Sequence, residues 1–445
     1  MRIQRRMCEH PAMDRIIVPF EGDGAGAGGL AWGQQQVWAA MVEIGSSLAM
    51  GGVVPVTDGR TVADFAEELR YHMSRHAAMR TLLRTADDGT VTQEVFDSGE
   101  AVLHVLDAED DPGAAAAALA AEWRDRVFDY EHEWPLRMAV VRHAGVPTHV
   151  VALMAHVAAD LGGVQVMMRD LATRATHPAT QPLDLWRLQQ EPSMRRHTAA
   201  SMRYWEAHLR AVPARRFAGP VDRGEPRYLR TVWSSPAMHL AAEALSARLG
   251  ADPAWVLLAA FASGLHRVTG ATPLVAQAII GNRFRPGLAD VVSPLTQTGL
   301  CVLDVAGVPA EEAVARARTA SMSTSKYAYY DPAALLALID AVEHDRGERL
   351  ELGCFYNDRR TASRPAGGDP PPDAIRAALP ASRVLEEVPM RFFNEQLMVN
   401  VDDVRDTIQM TVEADTHRVS RDDLHALLAE MESFVVSTAL SPAPA

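Results

Sequence analysis

Cysteine is scarce in this chain. Cys8, Cys301 and Cys354 are far apart and odd in number, which excludes a disulfide framework and a clustered zinc site and fits a reducing cytoplasm. No apolar run is long enough to span a membrane, so no membrane partner is expected. The first residues, MRIQRRMCEHPAMD, carry charge but no apolar core, so they are not read as a secretion signal. They read as a loose tail, with Met13 as a second candidate start. Basic residues are in deficit. The net charge is −14 and the pI about 5.6, which excludes nucleic acid as a general partner, because phosphate binding needs basic surface. The local basic run Arg195-Arg196-His197 reads as a solvated face. Among the 16 histidines no pair has metal-ligand spacing, so neither a metal nor a redox cofactor is expected. The glycine-rich run from Gly22 to Gly29, GDGAGAGG, lacks the following Lys-Ser/Thr of a phosphate loop and the acidic companion of a dinucleotide fold. It reads as a flexible turn.

What the chain does contain centres on Thr148 to Ala172, THVVALMAHVAADLGGVQVMMRDLA. The apolar run Val150 to Met154 is short enough for a buried strand. His156, Asp160 and the pair Gly162-Gly163 follow, and then Val164, Met167, Met168 and Leu171 recur at helical spacing. A histidine between a buried strand and a helix has a rigid backbone and a side chain free to enter a cleft. Imidazole accepts a proton near neutral pH, as general-base chemistry requires. On its own the pattern is equally that of a turn histidine bonded to a backbone carbonyl, followed by an aspartate capping a helix.

At 445 residues two domains are expected. With 48% hydrophobic and 22% charged residues the composition is that of an ordinary globular protein. Arg15 to Phe20 reads as a strand, and Trp32 to Met50 as a helix. Thr61-x-x-Asp64 caps a second helix that buries Phe65, Leu69 and Met73. Asp107 to Ala121 reads as a loop running into a helix. Leu136, Met138 and Val140 alternate as a strand, and Gly145-Val146-Pro147 turns it back as a hairpin into the Thr148 strand. The polar, proline-bearing stretch from His177 to Gln190 marks the domain boundary, giving lobes 1–180 and 181–445. Beyond it come a helix from Ser193 to Arg210 and a strand from Arg230 to Leu240. Two helices follow, Ala241 to Gly250 and Pro253 to Val268, and then strands at Pro273 to Ile280 and Leu350 to Tyr356. Ser363 to Ala374 is a proline-glycine loop. The alternations at Leu397 to Val401 and Ile408 to Val412 predict an antiparallel pair. Ser420-x-x-Asp423 caps the last helix. The fold class is α/β (α+β) with two lobes of comparable size, and a cleft between lobes is a usual place for a ligand site.

Several stretches, in this order, resemble the condensation domains of nonribosomal peptide synthetases, members of the H-x-x-x-D acyltransferase superfamily. RHAAMRT (Arg75 to Thr81) is similar to that family's RHxxLRT, and WPLRMAVVRH to its PL-containing strand. MAHVAADLGG (Met154 to Gly163) stands where the family has HHxxxDG. RYWEAHL (Arg203 to Leu209) resembles its YWxxxL segment. The stretch from Ile279 to Val305 resembles its NR-containing segment, and the end of the chain its last strand and helix. The resemblance covers essentially the whole length.

It implies two chloramphenicol-acetyltransferase-like lobes in a V with a tunnel between them. Donor and acceptor would arrive on phosphopantetheine arms of acyl or peptidyl carrier proteins, with no cofactor bound. His156 matches the motif histidine that acts on the nucleophile. Asp160 matches the structural aspartate, with Arg283 and Arg80 as candidate partners. Ala155, Leu161, Gly162 and Gly163 are candidates to line the tunnel. The chain departs from the pattern in three places: Ala155 replaces the first motif histidine, Leu161 takes the usual glycine position, and Leu295-Thr296-Gln297-Thr298 replaces the FVNT-like segment. No adenylation motif and no carrier-protein serine motif is present. The expectation is a stand-alone condensation-type acyltransferase joining a carrier-bound acyl or aminoacyl thioester to an amine or hydroxyl in peptide natural-product assembly. The alternatives are a polyketide-associated O- or N-acyltransferase with a free small-molecule acceptor, and an inactive condensation-like recruitment domain.

Overall fold

A computed structural model of the chain describes residues 13–177, 179–220, 223–360 and 369–441. The expected tail up to residue 12, with Cys8, and the first part of the expected 363–374 loop lie outside the described residues. The chain divides into two compact units, Met1–Arg195 with Gly281–Thr296, and Arg196–Ile280 with Gln297–Ala445.

The first unit contains β1 (Asp14–Glu21), β2 (Gly26–Gly29), α1 (Trp32–Ile44), β3 (Met50–Pro55), α2 (Val62–Arg75), β4 (Thr81–Thr85), β5 (Val91–Val95), β6 (Ser98–Asp107), α3 (Pro112–Asp125), β7 (Leu136–His143), β8 (Val146–Met154), α4 (Leu161–Thr173) and α5 (Pro182–Gln189). Its main sheet has the order β1-β6-β7-β8-β3, and a small sheet has the order β2-β5-β4. The expected hairpin is present: β7 pairs antiparallel with β8, and Met138 lies opposite Ala152. Side chains alternate strictly across the main sheet. Met138, Val140 and Val150 pack with Phe65, Leu69 and Met73 of α2 on one face. Ala139, Val141, Val151 and Leu153 pack with Leu119 and Trp123 of α3 on the other. Burial on both faces explains why β8 reads as a continuous apolar run rather than as an alternation, and it gives the strand carrying the motif a rigid seat.

In the second unit α6 (Pro192–Ala211) is followed by β9 (Tyr228–Ser235), α7 (Pro236–Leu249), α8 (Pro253–Thr269), β10 (Leu274–Ile280), β11 (Gln297–Leu303), α9 (Ala310–Tyr327), α10 (Pro332–Arg346), β12 (Cys354–Asp358), α11 (Pro372–Ala378), β13 (Arg383–Pro389), β14 (Leu397–Asp402), β15 (Ile408–Asp415) and α12 (Arg421–Leu440). Its seven strands form one sheet, β11-β10-β12-β14-β15-β9-β13. Trp233, Val399, Met410 and Val412 face the helices α7, α8 and α12 through Leu245, Phe261, Leu427 and Met431. Trp205, Leu209 and Tyr330 pack with Val275 and Leu300 in a separate cluster.

Several readings of the sequence need correction. The helix expected over Trp32 to Met50 ends at Ile44, where Gly45 takes a left-handed conformation, and Met50 already opens β3. The run GDGAGAGG is not a flexible turn. Its second half is β2, paired with β5, and the glycines lie under the indole of Trp186 on α5. A Cβ on Gly28 would come within 2.6 Å of that ring. The strand expected over Arg230 to Leu240 stops at Ser235, because Ser235 Oγ accepts the Met238 N–H at 2.8 Å and Pro236 takes the first helical position, where it is tolerated. The loop expected at Ser363 to Ala374 runs into α11. The division into 1–180 and 181–445 also differs from the two units. Residues 182–195 go with the first unit, since α5 packs on β2, and Gly281–Thr296 goes with it too.

Two buried histidines on α2 and just after it give the first unit a defined acid sensitivity. The rings of His72 and His76 stack with centroids 5.9 Å apart. Burial pushes His72 down to about 4, and burial with its charged neighbours pushes His76 down to about 3. Both therefore stay neutral in the folded protein while the unfolded chain protonates near 6.5, so stability is full above pH 6.5 and falls as acid is added. Between pH 6.5 and pH 5 each ring removes up to about 2 kcal/mol. Denaturant unfolding at pH 7.5 and pH 5 measures this difference, and His76→Phe, which cannot protonate, reduces it.

Candidate active site

Strand β8 ends at Met154, and the next six residues form a tight turn before α4. Three backbone bonds fix it. The Ala155 N–H donates to Pro135 O at 2.9 Å, the His156 N–H to Ser47 O at 3.1 Å, and the Ala158 N–H to Ala155 O at 3.0 Å. The His156 side chain is half-buried. Its Nδ1 lies 2.8 Å from the carbonyl oxygen of Ala159. A carbonyl only accepts, so the proton of the neutral ring sits on Nδ1 and the lone pair on Nε2. The turn thus supplies a fixed tautomer with a base at its outer nitrogen.

Asp160 caps α4 and is 3% exposed. Its Oδ1 accepts the Gly163 N–H at 2.8 Å and an N–H of the Arg283 guanidinium. Its Oδ2 accepts the N–H groups of Leu295 at 2.9 Å and Thr296 at 3.2 Å, and the Thr296 hydroxyl at 2.9 Å. Burial alone would push this carboxyl up. The Arg283 charge and the converging donors outweigh burial and hold it below the usual carboxylate range. Arg283 also donates to Val291 O at 2.6 Å and Ser293 O at 3.2 Å. This knot ties the segment Gly281–Thr296 to α4.

Of the two arginines expected beside Asp160, Arg283 makes the pair and Arg80 does not. Arg80 is buried and spends its guanidinium on carbonyls, Phe96 O at 2.8 Å, Met73 O at 3.2 Å, Ser74 O at 3.3 Å and Asp23 O. It fastens the chain after β1 to the end of α2, apart from the motif. Ala155 does not line an open passage. It is fully buried in an apolar cluster with Leu30, Met41, Leu83 and Phe128. Gly162 does not await a substrate either: the space a Cβ would need is filled by the Arg283 side chain. Gly163 is buried, and a Cβ there would lie 3.2 Å from that of Ala159. Leu161 is 51% exposed, and of the four candidates it alone presents a large side chain to the outside. Reading the sequence missed Ser47, Leu295 and Thr296 as supports. Two of them act through the backbone, which leaves no side-chain signal.

The two cysteines among the described residues are poorly suited to chemistry. Cys301 and Cys354 are buried, which pushes their thiols up to about 12 and about 11, far from thiolate at neutral pH. Among the described residues no three His, Cys, Asp or Glu side chains converge as a metal site, and no helix is long and apolar enough to cross a membrane.

A family model described as the condensation domain matches residues 34–349. Phosphinothricin tripeptide synthetase PhsB of Streptomyces viridochromogenes is 29% identical over 258 residues, which are 53% of this chain and 21% of that protein. The chain therefore spans about a fifth of that relative's length. Among solved structures, one describing condensation domain-mediated chain release from the enacyloxin polyketide synthase aligns with a TM-score of 0.69 at 18% identity, over 96% of this chain and 86% of the other. The epimerization domain from the third module of tyrocidine synthetase B aligns with a TM-score of 0.70 at 11% identity, over 95% of this chain and 100% of the other.

The Asp160 knot makes two predictions about stability. Asp160→Asn removes the charge facing a largely buried guanidinium, and the folded state loses about 3 kcal/mol or more. Gly162→Ala forces Arg283 off the carboxylate and costs about 1–3 kcal/mol. Urea unfolding of both variants against the parent checks the values. The knot has been misread if either variant unfolds at the parent's midpoint.

Proposed function

We propose, since this chain belongs to the condensation-domain family, that it is a condensation-type acyltransferase with His156 as its catalytic residue. The observation that carries the reading is the bond from His156 Nδ1 to Ala159 O, which leaves Nε2 as a base. The donor is an acyl or aminoacyl thioester on the phosphopantetheine arm of a carrier protein, and the acceptor is an amine. The amine nitrogen attacks the thioester carbonyl carbon, and His156 Nε2 takes the proton that the nitrogen sheds. Collapse of the tetrahedral intermediate breaks the C–S bond. The leaving sulfur takes the proton back from the imidazolium, giving an amide, a free carrier thiol and a neutral ring. Asp160 stays a structural anion throughout. The enzyme itself contributes orientation and one proton relay, with no bound cofactor.

A hydroxyl or free amine acceptor is a second reading. It is supported by the burial of Ala155, which leaves H-x-x-x-D alone to serve the reaction. The recruitment-only reading is disfavoured by a half-buried, tautomer-fixed imidazole, since a ring retained for packing alone would have no need of a fixed tautomer.

Turnover is measured by mass spectrometry with acyl-loaded carrier protein and either an aminoacyl-loaded carrier or the free acceptor. His156→Ala is expected to lower the rate by about 10²–10⁴-fold with the fold intact by circular dichroism. Undiminished product from that variant would remove His156 from the mechanism. Product formed only with the free acceptor would select the second reading.

A further inference from the structure

His156 is held by its own backbone as much as by its ring, and the group that holds the backbone is itself clamped. The carbonyl receiving the His156 N–H belongs to Ser47, which is 1% exposed and lies in the link between α1 and β3. The Ser47 hydroxyl does two further things. It accepts the Phe128 N–H at 2.9 Å, and it pairs with the Tyr130 hydroxyl at 2.6 Å. Tyr130 is fixed in turn. Its carbonyl accepts the Leu83 N–H at 2.8 Å, and its ring meets Trp38 edge-on at 5.0 Å. The next residue after Ser47 is strained: Leu48 has φ +44°, a left-handed conformation costly for a side chain of this kind. That strain is maintained where the chain must present the Ser47 carbonyl to the motif turn.

We propose that Ser47 and Tyr130 are positioning residues for His156. Their hydroxyl pair fixes the Ser47 carbonyl, that carbonyl fixes the His156 backbone, and the ring then reaches Ala159 O with Nε2 turned outward. The idea rests on the catalytic role given to His156 but is tested partly without it. The two hydroxyls bond each other and the Phe128 N–H while the ring bonds Ala159 O, so the effect is expected in the rate rather than in substrate binding.

The experiment compares the parent chain with Tyr130→Phe and Ser47→Ala. Protein labelled with ¹⁵N-histidine reports the ring tautomer directly, and the His156 signals are identified by their loss in His156→Ala. The parent is expected to show the Nδ1–H tautomer as a single species, and both variants a mixture of tautomers or broadened signals. In the carrier-dependent assay kcat falls about tenfold for Tyr130→Phe and about a hundredfold for Ser47→Ala, with KM unchanged, as expected for a base displaced by a fraction of an ångström to an ångström. Parent-like ring signals in both variants overturn the proposal, whatever happens to the rate. So does a loss of rate that appears in KM alone. Altered ring signals in a protein whose His156→Ala variant is fully active uphold the positioning role and overturn the catalytic one. Should Ser47→Ala fail to fold, Tyr130→Phe, which removes one oxygen, decides the question alone.

Discussion

Asp160 is the group on which the motif turn depends. An ionised carboxylate offers about four lone-pair sites. Here it faces a guanidinium, three backbone N–H groups and a hydroxyl. It is saturated, and no capacity is left for an imidazole. That decides its role. It does not orient His156 as the carboxylate of a serine-protease-type triad would. It closes the N-terminus of α4, neutralises Arg283 and gathers the ends of a segment that joins β10 to β11 but belongs to the first unit. The large desolvation cost of such an anion is acceptable only because every lone pair is met.

The consequence falls on His156. Its ring partner is a neutral carbonyl, so the protein sets the direction and tautomer of the imidazole without placing a counter-charge against it. Catalysis by such a ring draws on position more than on field. Position in turn comes from three separate parts of the chain: the link after α1 that offers Ser47, the residues before β7 that offer Tyr130 and Pro135, and β8 itself. Strand β8 is anchored in a core that buries the sheet on both faces, and Leu48 and Tyr130 pack against the cluster that encloses Ala155.

Much of this was legible in the residues alone. The strand, the turn, the cap at Asp160 and the helix after it follow from apolar spacing and from the preference of aspartate for a helix start. Both local readings of the motif hold at once, since His156 bonds a backbone carbonyl and Asp160 caps α4. The pairing with Arg283 could be narrowed to two arginines but not chosen, because Arg80 and Arg283 look alike in sequence. They differ only in what surrounds them, carbonyls for one and a carboxylate for the other. Backbone supports such as Ser47 O and Leu295 N–H carry no residue signature at all. The glycine run misled because its purpose is the approach of Trp186, more than 150 positions away and invisible to local rules. Helix α9 went unassigned because alanine, serine and threonine there blur the apolar stripe, whereas α10, also unassigned, carries Leu335, Leu338, Ile339 and Val342 at helical spacing and was legible. The move of Gly281–Thr296 to the first unit had no compositional mark, since its ties to that unit are the Arg283–Asp160 pair, the Leu295 and Thr296 bonds to the same carboxylate, the Arg169–Asp290 pair and the burial of Val292, all made to residues distant in sequence.

The same packing bears on the position before the motif histidine. Ala155 is fully buried in a cluster with Leu30, Met41, Leu83 and Phe128. An imidazole there would lose its hydration as His72 and His76 do, and it would lack the ring stack those two share. Burial there would disfavour its charged form. In this chain the residue before His156 is therefore part of the seat under the turn. Under the role proposed for His156, the difference from the double-histidine pattern need not mark a lost reaction, because Ala155 is buried in the core while the His156 ring is only half-buried.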